Sequence, residues 1–345
     1  MVGAFLHLAA CLFRGVVQAR AALYDFGVVR PYRSRLPVIS IGNVTAGGNG
    51  KTPLCLYVAS ECALRGLRPA ILSRGYGGLE KGPYRVEASD SPRRVGDEPL
   101  LMAQSGIAPV YISRARARGA RLIEAHGLAD VIILDDGFQH RGLARDVDIV
   151  SVFAGNPEAV EDFIEGKLLP EGRFREPRDR ALRRASLIVV SERSVLPEGG
   201  ALPPIDERLL KALPRGVAVY RAYFEASSAV SLESGQPIPR GPVHAFAAIA
   251  NPEGFYDSLA RLGYTLLSKT SFPDHHEFSR RDVEGLLAKA SGLPLVCTSK
   301  DAVKLRAMGA SCVSGCGVLD VRVKVVPTDA FMVHIQRRLV NAKPE

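Results

Sequence analysis

The feature that most constrains this sequence is a single junction. Pro37-Val38-Ile39-Ser40-Ile41-Gly42 is a short β-branched run ending in glycine, the signature of a buried strand. It leads into Gly-Asn-Val-Thr-Ala-Gly-Gly-Asn-Gly-Lys-Thr at 42–52, and a helical pattern follows from Leu54 to Leu64. Glycines let successive backbone N–H groups turn inward on a phosphate. A helix N-terminus adds further donors and the positive end of its dipole. Thr45, Ala46, Gly47, Gly48, Asn49, Gly50, Lys51 and Thr52 therefore read as a P-loop. Lys51 can reach the β- and γ-phosphates of a nucleotide, and the Thr52 hydroxyl can ligate Mg²⁺. Thr45 stands where the common pattern has glycine, and Gly47 and Gly48 supply the flexibility instead.

The remaining pattern extends this junction into an α/β fold. Apolar strands are expected at 69–73, 110–112, 131–134, 148–152 and 187–190, with helices at 97–105 and 114–126 between them. Continuous apolar strands alternating with helices indicate a parallel sheet covered on both faces. The expected architecture is a P-loop NTPase-like parallel-sheet domain over 1–215, a hinge or linker over 216–240 and a smaller α/β domain over 241–325. The second domain begins with a strand at 244–249, a helix at 252–262 and a strand at 295–298. The segment 326–345 reads as a C-terminal helix able to return to the first domain. No internal repeat of solenoid or propeller length is present.

Charge narrows the partners. Lys and Arg number 45 against 36 Asp and Glu, a net charge of +9, which favours phosphate-rich partners. Aromatic residues are only 7%, and no recognised nucleic-acid module appears, so a nucleic-acid partner is not expected. The Arg114, Arg116, Arg118 and Arg121 cluster reads as a solvated helix face. Residues 1–24 form an apolar helical pattern, with Arg14, Arg20, Arg30, Arg33 and Arg35 on it or just beyond and only Asp25 opposing. Arg14 breaks the run too early for a membrane span, and the basic residues follow the apolar stretch instead of preceding it as in a secretion signal. A helix lying on an anionic membrane surface fits better. The six cysteines form no C-x-x-C pair, which favours buried free thiols in a reducing compartment over disulfides or zinc.

Several carboxylates have chemical potential. Asp135 and Asp136 end the apolar strand 131–134, where sheet ligands bind, and either can hold Mg²⁺ as a Walker-B acid does. Asp97 and Glu98, before Pro99, read locally as a helix start, yet an Asp there can also accept a hydroxyl proton. Asp274-His275-His276 offers an Asp beside a His across an interdomain cleft.

Taken in order, these motifs resemble a known family. Gly47-Gly48-Asn49-Gly50-Lys51-Thr52-Pro53, Leu72-Ser73-Arg74-Gly75-Tyr76-Gly77, Gly96-Asp97-Glu98-Pro99, Asp135-Asp136-Gly137-Phe138-Gln139-His140, Arg175-Glu176-Pro177, Asn251-Pro252 and Phe272-Pro273-Asp274-His275 together resemble the tetraacyldisaccharide 4'-kinases of lipid A synthesis. The resemblance covers roughly residues 5–305. It implies ATP- and Mg²⁺-dependent phosphorylation of the 4'-hydroxyl of a tetraacylated disaccharide 1-phosphate. It also implies a peripheral enzyme on the cytoplasmic face of the inner membrane, with no obligatory protein partner. By the same resemblance, Lys51, Asp97 and His275 are catalytic, and Asp97 with His275 forms the base. Thr52, Glu98, Asp135 and Asp136 are metal or acceptor-site residues, and Asn43, Tyr76, Glu98, Arg175 and Glu176 contact substrate. Glu171 and Arg173 depart from the family's L-P-A-G-P-x-R-E pattern. The alternative is a membrane-associated P-loop ATPase that switches a protein partner. A guanine-reading T-K-x-D would favour that alternative, but residues 298–301 read Thr-Ser-Lys-Asp.

Overall fold

The structure, a computed structural model, describes residues 2–47, 50–195, 204–309 and 312–341. Gly48 and Asn49 of the glycine loop lie outside the described residues. A long helix, α1 (Val2–Asp25), precedes the strand β1 (Val38–Asn43) and the helix α2 (Lys51–Leu64). Then follow β2 (Pro69–Ser73), β3 (Tyr84–Val86), α3 (Pro92–Val95), α4 (Asp97–Gln104), β4 (Val110–Ile112), α5 (Arg116–His126) and β5 (Val131–Asp135). The chain continues through β6 (Val147–Phe153), α6 (Pro157–Glu165), α7 (Arg178–Leu182), β7 (Leu187–Val195), α8 (Glu207–Ala212) and β8 (Ala218–Ser231). The last third holds β9 (Pro242–Ala247), α9 (Glu253–Arg261), β10 (Thr265–Ser271), α10 (Arg280–Ala290), β11 (Leu295–Thr298), α11 (Ser299–Met308), β12 (Cys316–Val326) and α12 (Thr328–Asn341).

All the strands join one sheet, in the order β10-β9-β11-β12-β8-β7-β6-β1-β5-β2-β4-β3. From β8 to β4 every pair is parallel, and so is every pair from β10 to β12. The two parallel blocks meet at an antiparallel ribbon of β8 and β12, and β3 adds an antiparallel edge. Residues 216–240 are therefore not an irregular linker. Ala218–Ser231, rich in Val, Tyr, Phe and Ala, forms the longest strand in the sheet, and flanking Pro and Gly residues mask its signal in the average composition. The strand β12 also lies outside the expected elements, although Val321, Val323 and Val325 alternate with charged residues along it.

Successive strand residues face opposite sides, so each strand feeds two cores. On one face Ile39, Ile41, Ile133 and Ile149 pack with Val58 and Ala59 of α2 and with Phe331, Met332 and Ile335 of α12. The C-terminal helix thus returns to the first block, its Phe331 ring 6.3 Å from Tyr57. On the other face Val38, Leu72, Ile132 and Leu134 pack with Ala120 and Ile123 of α5. Each of the larger of these side chains contributes about 1.5–3 kcal/mol by leaving water, which holds both ends of the βα loops between them rigidly. Five cysteines are buried and free as expected, but Cys11 is exposed on α1.

Candidate active site

The site forms where β1, β2 and β5 end. Gly42, near the end of β1, passes so close to Phe138 that a Cβ there would sit 2.6 Å from the Phe138 Cβ. This lets the Asp135–His140 turn lie against the phosphate loop. Asn43 is fully buried, and neither its amide oxygen nor its nitrogen has a hydrogen-bond partner. Gly50 caps α2 with φ 70°, in the left-handed region, and no side chain caps the helix. The N-terminus of α2 therefore presents unsatisfied N–H groups and the positive end of its dipole beside two orphaned polar atoms. This arrangement fits a nucleotide phosphate. A neighbouring segment braces the loop: Ala46 N–H donates to the Arg173 carbonyl at 2.7 Å, and Arg175 N–H donates to the Val44 carbonyl at 2.9 Å.

Lys51 lies 3.7 Å from Asp136, which also accepts two hydrogen bonds from Arg175 at 3.1 Å. Burial alone would raise the Asp136 pKa, but Lys51 and Arg175 outweigh it and hold the carboxyl below its ordinary value. Its neighbour Asp135 behaves oppositely. Burial, with the charges of Glu98 and Asp136 added, pushes it up to about 6, although Ser73 donates to it at 2.8 Å. Cys55 Sγ donates to its other oxygen at 3.5 Å. The buried Asp135 carboxylate, reached by Cys55 of α2, and the buried Thr52 one turn earlier on that helix are oxygen donors of the kind a divalent cation takes. No three His, Cys, Asp or Glu residues cluster as a metal cage among the described residues.

The second half of the site comes from both blocks. Asp97 opens α4 and is 6% exposed. His275, at φ 61° in the turn after β10, brings Nδ1 to 2.9 Å from Asp97 Oδ2. Two residues remote in sequence thus form the pair expected from the motifs. Burial would raise the Asp97 pKa, but the His275 hydrogen bond and the charges of Lys300 and Lys304 depress it. The same hydrogen bond raises His275 against its own burial. Glu98 ion-pairs with Lys300 of α11. Tyr76 is exposed, its ring 5.6 Å from that of His275. Glu176 is buried and accepts two hydrogen bonds from Arg184, at 2.8 and 3.0 Å.

Sequence reasoning missed several participants. Gln139 donates to the Asn43 carbonyl at 2.8 Å and to Glu176 at 3.2 Å, tying the loop to the Arg175-Glu176 segment. Its place in the Asp-Asp-Gly-Phe-Gln-His run was the available signal. Arg116 corrects the reading of its cluster as solvated surface. It is 2% exposed and donates to the carbonyls of Ser113 at 2.7 Å and Asp135 at 3.2 Å, pinning the strand end that carries both aspartates. Burial lowers its pKa to about 10, so it remains charged at neutral pH.

The sequence pattern of the tetraacyldisaccharide-1-P 4'-kinase family matches residues 2–340. The chain belongs to that family. A tetraacyldisaccharide 4'-kinase of Aeromonas salmonicida is 38% identical over 301 residues, 86% of this chain and 82% of that one. One from Anaeromyxobacter dehalogenans is 41% identical over 355 residues, covering 96% and 87% respectively. The crystal structure of LpxK from Aquifex aeolicus in complex with ATP superimposes with a TM-score of 0.76 at 28% identity, over 98% of this chain and 100% of that one. As a member of this kinase family, the chain carries a P-loop NTPase-like fold.

Proposed function

We propose that this chain transfers the γ-phosphate of ATP to the 4'-hydroxyl of tetraacyldisaccharide 1-phosphate, forming lipid IVA. One observation carries the reading: a P-loop lysine and an Asp–His pair converge at the carboxyl ends of one sheet. Asp97 is too buried to meet a sugar. It holds Nδ1–H of His275, so the accessible Nε2 carries the lone pair and takes the 4'-hydroxyl proton as that oxygen attacks the γ-phosphorus. Lys51 and Arg175, held side by side by Asp136, meet the negative charge on the transferring group. Mg²⁺, held by Thr52 with Asp135 or Asp136, would neutralise the phosphate charge. Lys51, Thr45–Thr52 and Asn43 take the ATP side of the site, and Tyr76 and Glu98 take the acceptor side. Glu176 acts through Gln139 and Arg184 as a brace.

The helix α1 supports action on a lipid at the cytoplasmic face of the inner membrane. Arg14 does not cut the apolar stretch short as expected: Phe5–Asp25 is long and apolar enough to cross a membrane, yet the helix is tied along the protein body. His7 meets Glu171 at 3.3 Å, Arg20 donates to the Gln139 carbonyl at 3.5 Å, and Asp25 pairs with Arg141 at 2.7 Å and with Arg180. Phe5, Leu8, Leu12 and Val16 on one face of the helix, with Phe26 and Val28 beyond it, remain exposed. A docked helix with an uncovered apolar stripe suits a surface-lying, peripheral enzyme better than a span. Burial, with the charges of Arg116, Arg20, Arg145 and Arg74 added, lowers the His140 pKa to about 4, so its ring is neutral at pH 7.

The test is transfer of labelled γ-phosphate from ATP, with Mg²⁺ and detergent, to tetraacyldisaccharide 1-phosphate. Labelled lipid that disappears with Lys51→Ala supports the reading. ATP hydrolysis without labelled lipid would refute it in favour of an ATPase acting on a protein partner.

A further inference from the structure

The helix α11 opens with Thr298-Ser299-Lys300-Asp301, whose order excludes guanine recognition, and carries Lys304 one turn later. It belongs to the second block of the sheet, yet both lysines reach the first block. Lys300 ion-pairs with Glu98. Lys304 Nζ lies 3.8 Å from Asp97 Oδ2 and 3.5 Å from Asp301 Oδ1, its side chain is 9% exposed, and it makes no hydrogen bond. The i, i+4 spacing puts both ammonium groups on one helix face, opposite the two adjacent acids that open α4. The platform beneath them is fixed. Asp301 is fully buried and accepts from the Thr298 hydroxyl at 2.7 Å and from the backbone N–H of Ala248, just beyond β9, at 3.1 Å. A buried ammonium between two carboxylates, without a hydrogen bond, is a poor source of net stability. Its geometric effect is specific, because Asp97 Oδ2 is held at once by the His275 ring and by Lys304.

We propose that Lys300 and Lys304 are positioning residues that hold Glu98 and Asp97 from the opposite block, so that the His275 base is assembled only when the two blocks are docked. The inference rests on the kinase reading above. Methionine keeps the apolar stem of either lysine and removes its charge, and arginine keeps the charge. In the full chain, Lys304→Met and Lys300→Met should each lower kcat about 10²-fold, the cost of a small misplacement of catalytic groups. KM for ATP should stay unchanged, because the phosphate loop lies wholly in the first block. Lys300→Arg should recover most of the lost kcat. The His275 Nδ1–H proton bonded to Asp97, a downfield resonance identified by its loss in Asp97→Asn, should shift or broaden in Lys304→Met.

Both methionine variants turning over lipid within about twofold of the parent, against the 10²-fold expectation, would overturn the positioning role and leave the kinase reading standing. A parent protein that labels no lipid removes the kinase reading. The positioning role is then judged on the resonance alone, and an unchanged resonance in Lys304→Met overturns it. If Lys304→Met fails to fold, Lys300→Met, at a partly exposed site, carries the kinetic test.

Discussion

Asp135 should be a residue whose removal strengthens the protein while ending its activity. Its carboxyl is 3% exposed, and burial with the charges of Glu98 and Asp136 raises its pKa from 3.8 to about 6. Each pH unit that separates the folded pKa from the unfolded one is worth about 1.36 kcal/mol, so keeping the carboxyl ionised at pH 7.5 costs the folded state on the order of 3 kcal/mol. Because the folded pKa of this acid lies above the unfolded one, the cost is absent below about pH 4, grows through pH 6 and is constant above. Asp135→Asn removes the charge at nearly constant shape. It weakens one of the bonds from Ser73 and Cys55, a loss of about 1 kcal/mol. The net gain is about 2 kcal/mol. An unfolding entropy of about 2.1 cal/mol/K per residue gives roughly 0.7 kcal/mol/K for the whole chain, so Tm should rise about 3 °C at pH 7.5. Calorimetry of ligand-free protein at pH 7.5 and pH 4.5 tests this, with transfer assays alongside. A Tm gain at pH 7.5 that fades at pH 4.5, with transfer lost, is expected. An equal loss of Tm at both pH values would refute the reasoning, because the carboxylate would then be stabilising its surroundings.

Three further perturbations probe other parts of the site. Asp97→Asn should lower kcat by about 10²–10⁴-fold with ATP affinity intact. His275, now raised by Asp97, must lose its proton to act, so the parent rate should fall as pH drops through that raised pKa, and the fall should move to lower pH in the variant. A pH–rate profile of both proteins shows whether it does. Arg184→Met leaves the buried Glu176 with Gln139 as its remaining partner and should destabilise the fold by about 3–5 kcal/mol, measured by urea unfolding. Replacing Leu8, Leu12 and Val16 together by Ser should weaken flotation with anionic liposomes while leaving Tm nearly unchanged, because these side chains are exposed on the isolated protein.

The sequence by itself determined the parts whose physics is local. Strands β1 and β5 were legible because a run buried on both faces is dominated by β-branched and apolar residues, and the phosphate loop because glycines at a strand–helix junction have few other uses. The acids Asp135 and Asp136 followed, since a parallel strand delivers its last residues to the ligand edge of the sheet. What the tertiary structure alone decided depends on which elements become neighbours. The pairing of His275 with Asp97 was expected from the family resemblance alone; no local pattern around either residue indicates it, and the Nδ1 contact across the two blocks is set by packing. Arg116 looked like its exposed neighbours, and only the approach of α5 to the end of β5 turned it into a buried brace. Lys300 and Lys304 sit on a helix whose pattern names no partner, and the antiparallel β8–β12 ribbon brings their block back against α4. Local sequence sets which backbone conformations are accessible, whereas ion pairs and proton-transfer partners are set by long-range packing, which no short window of residues encodes.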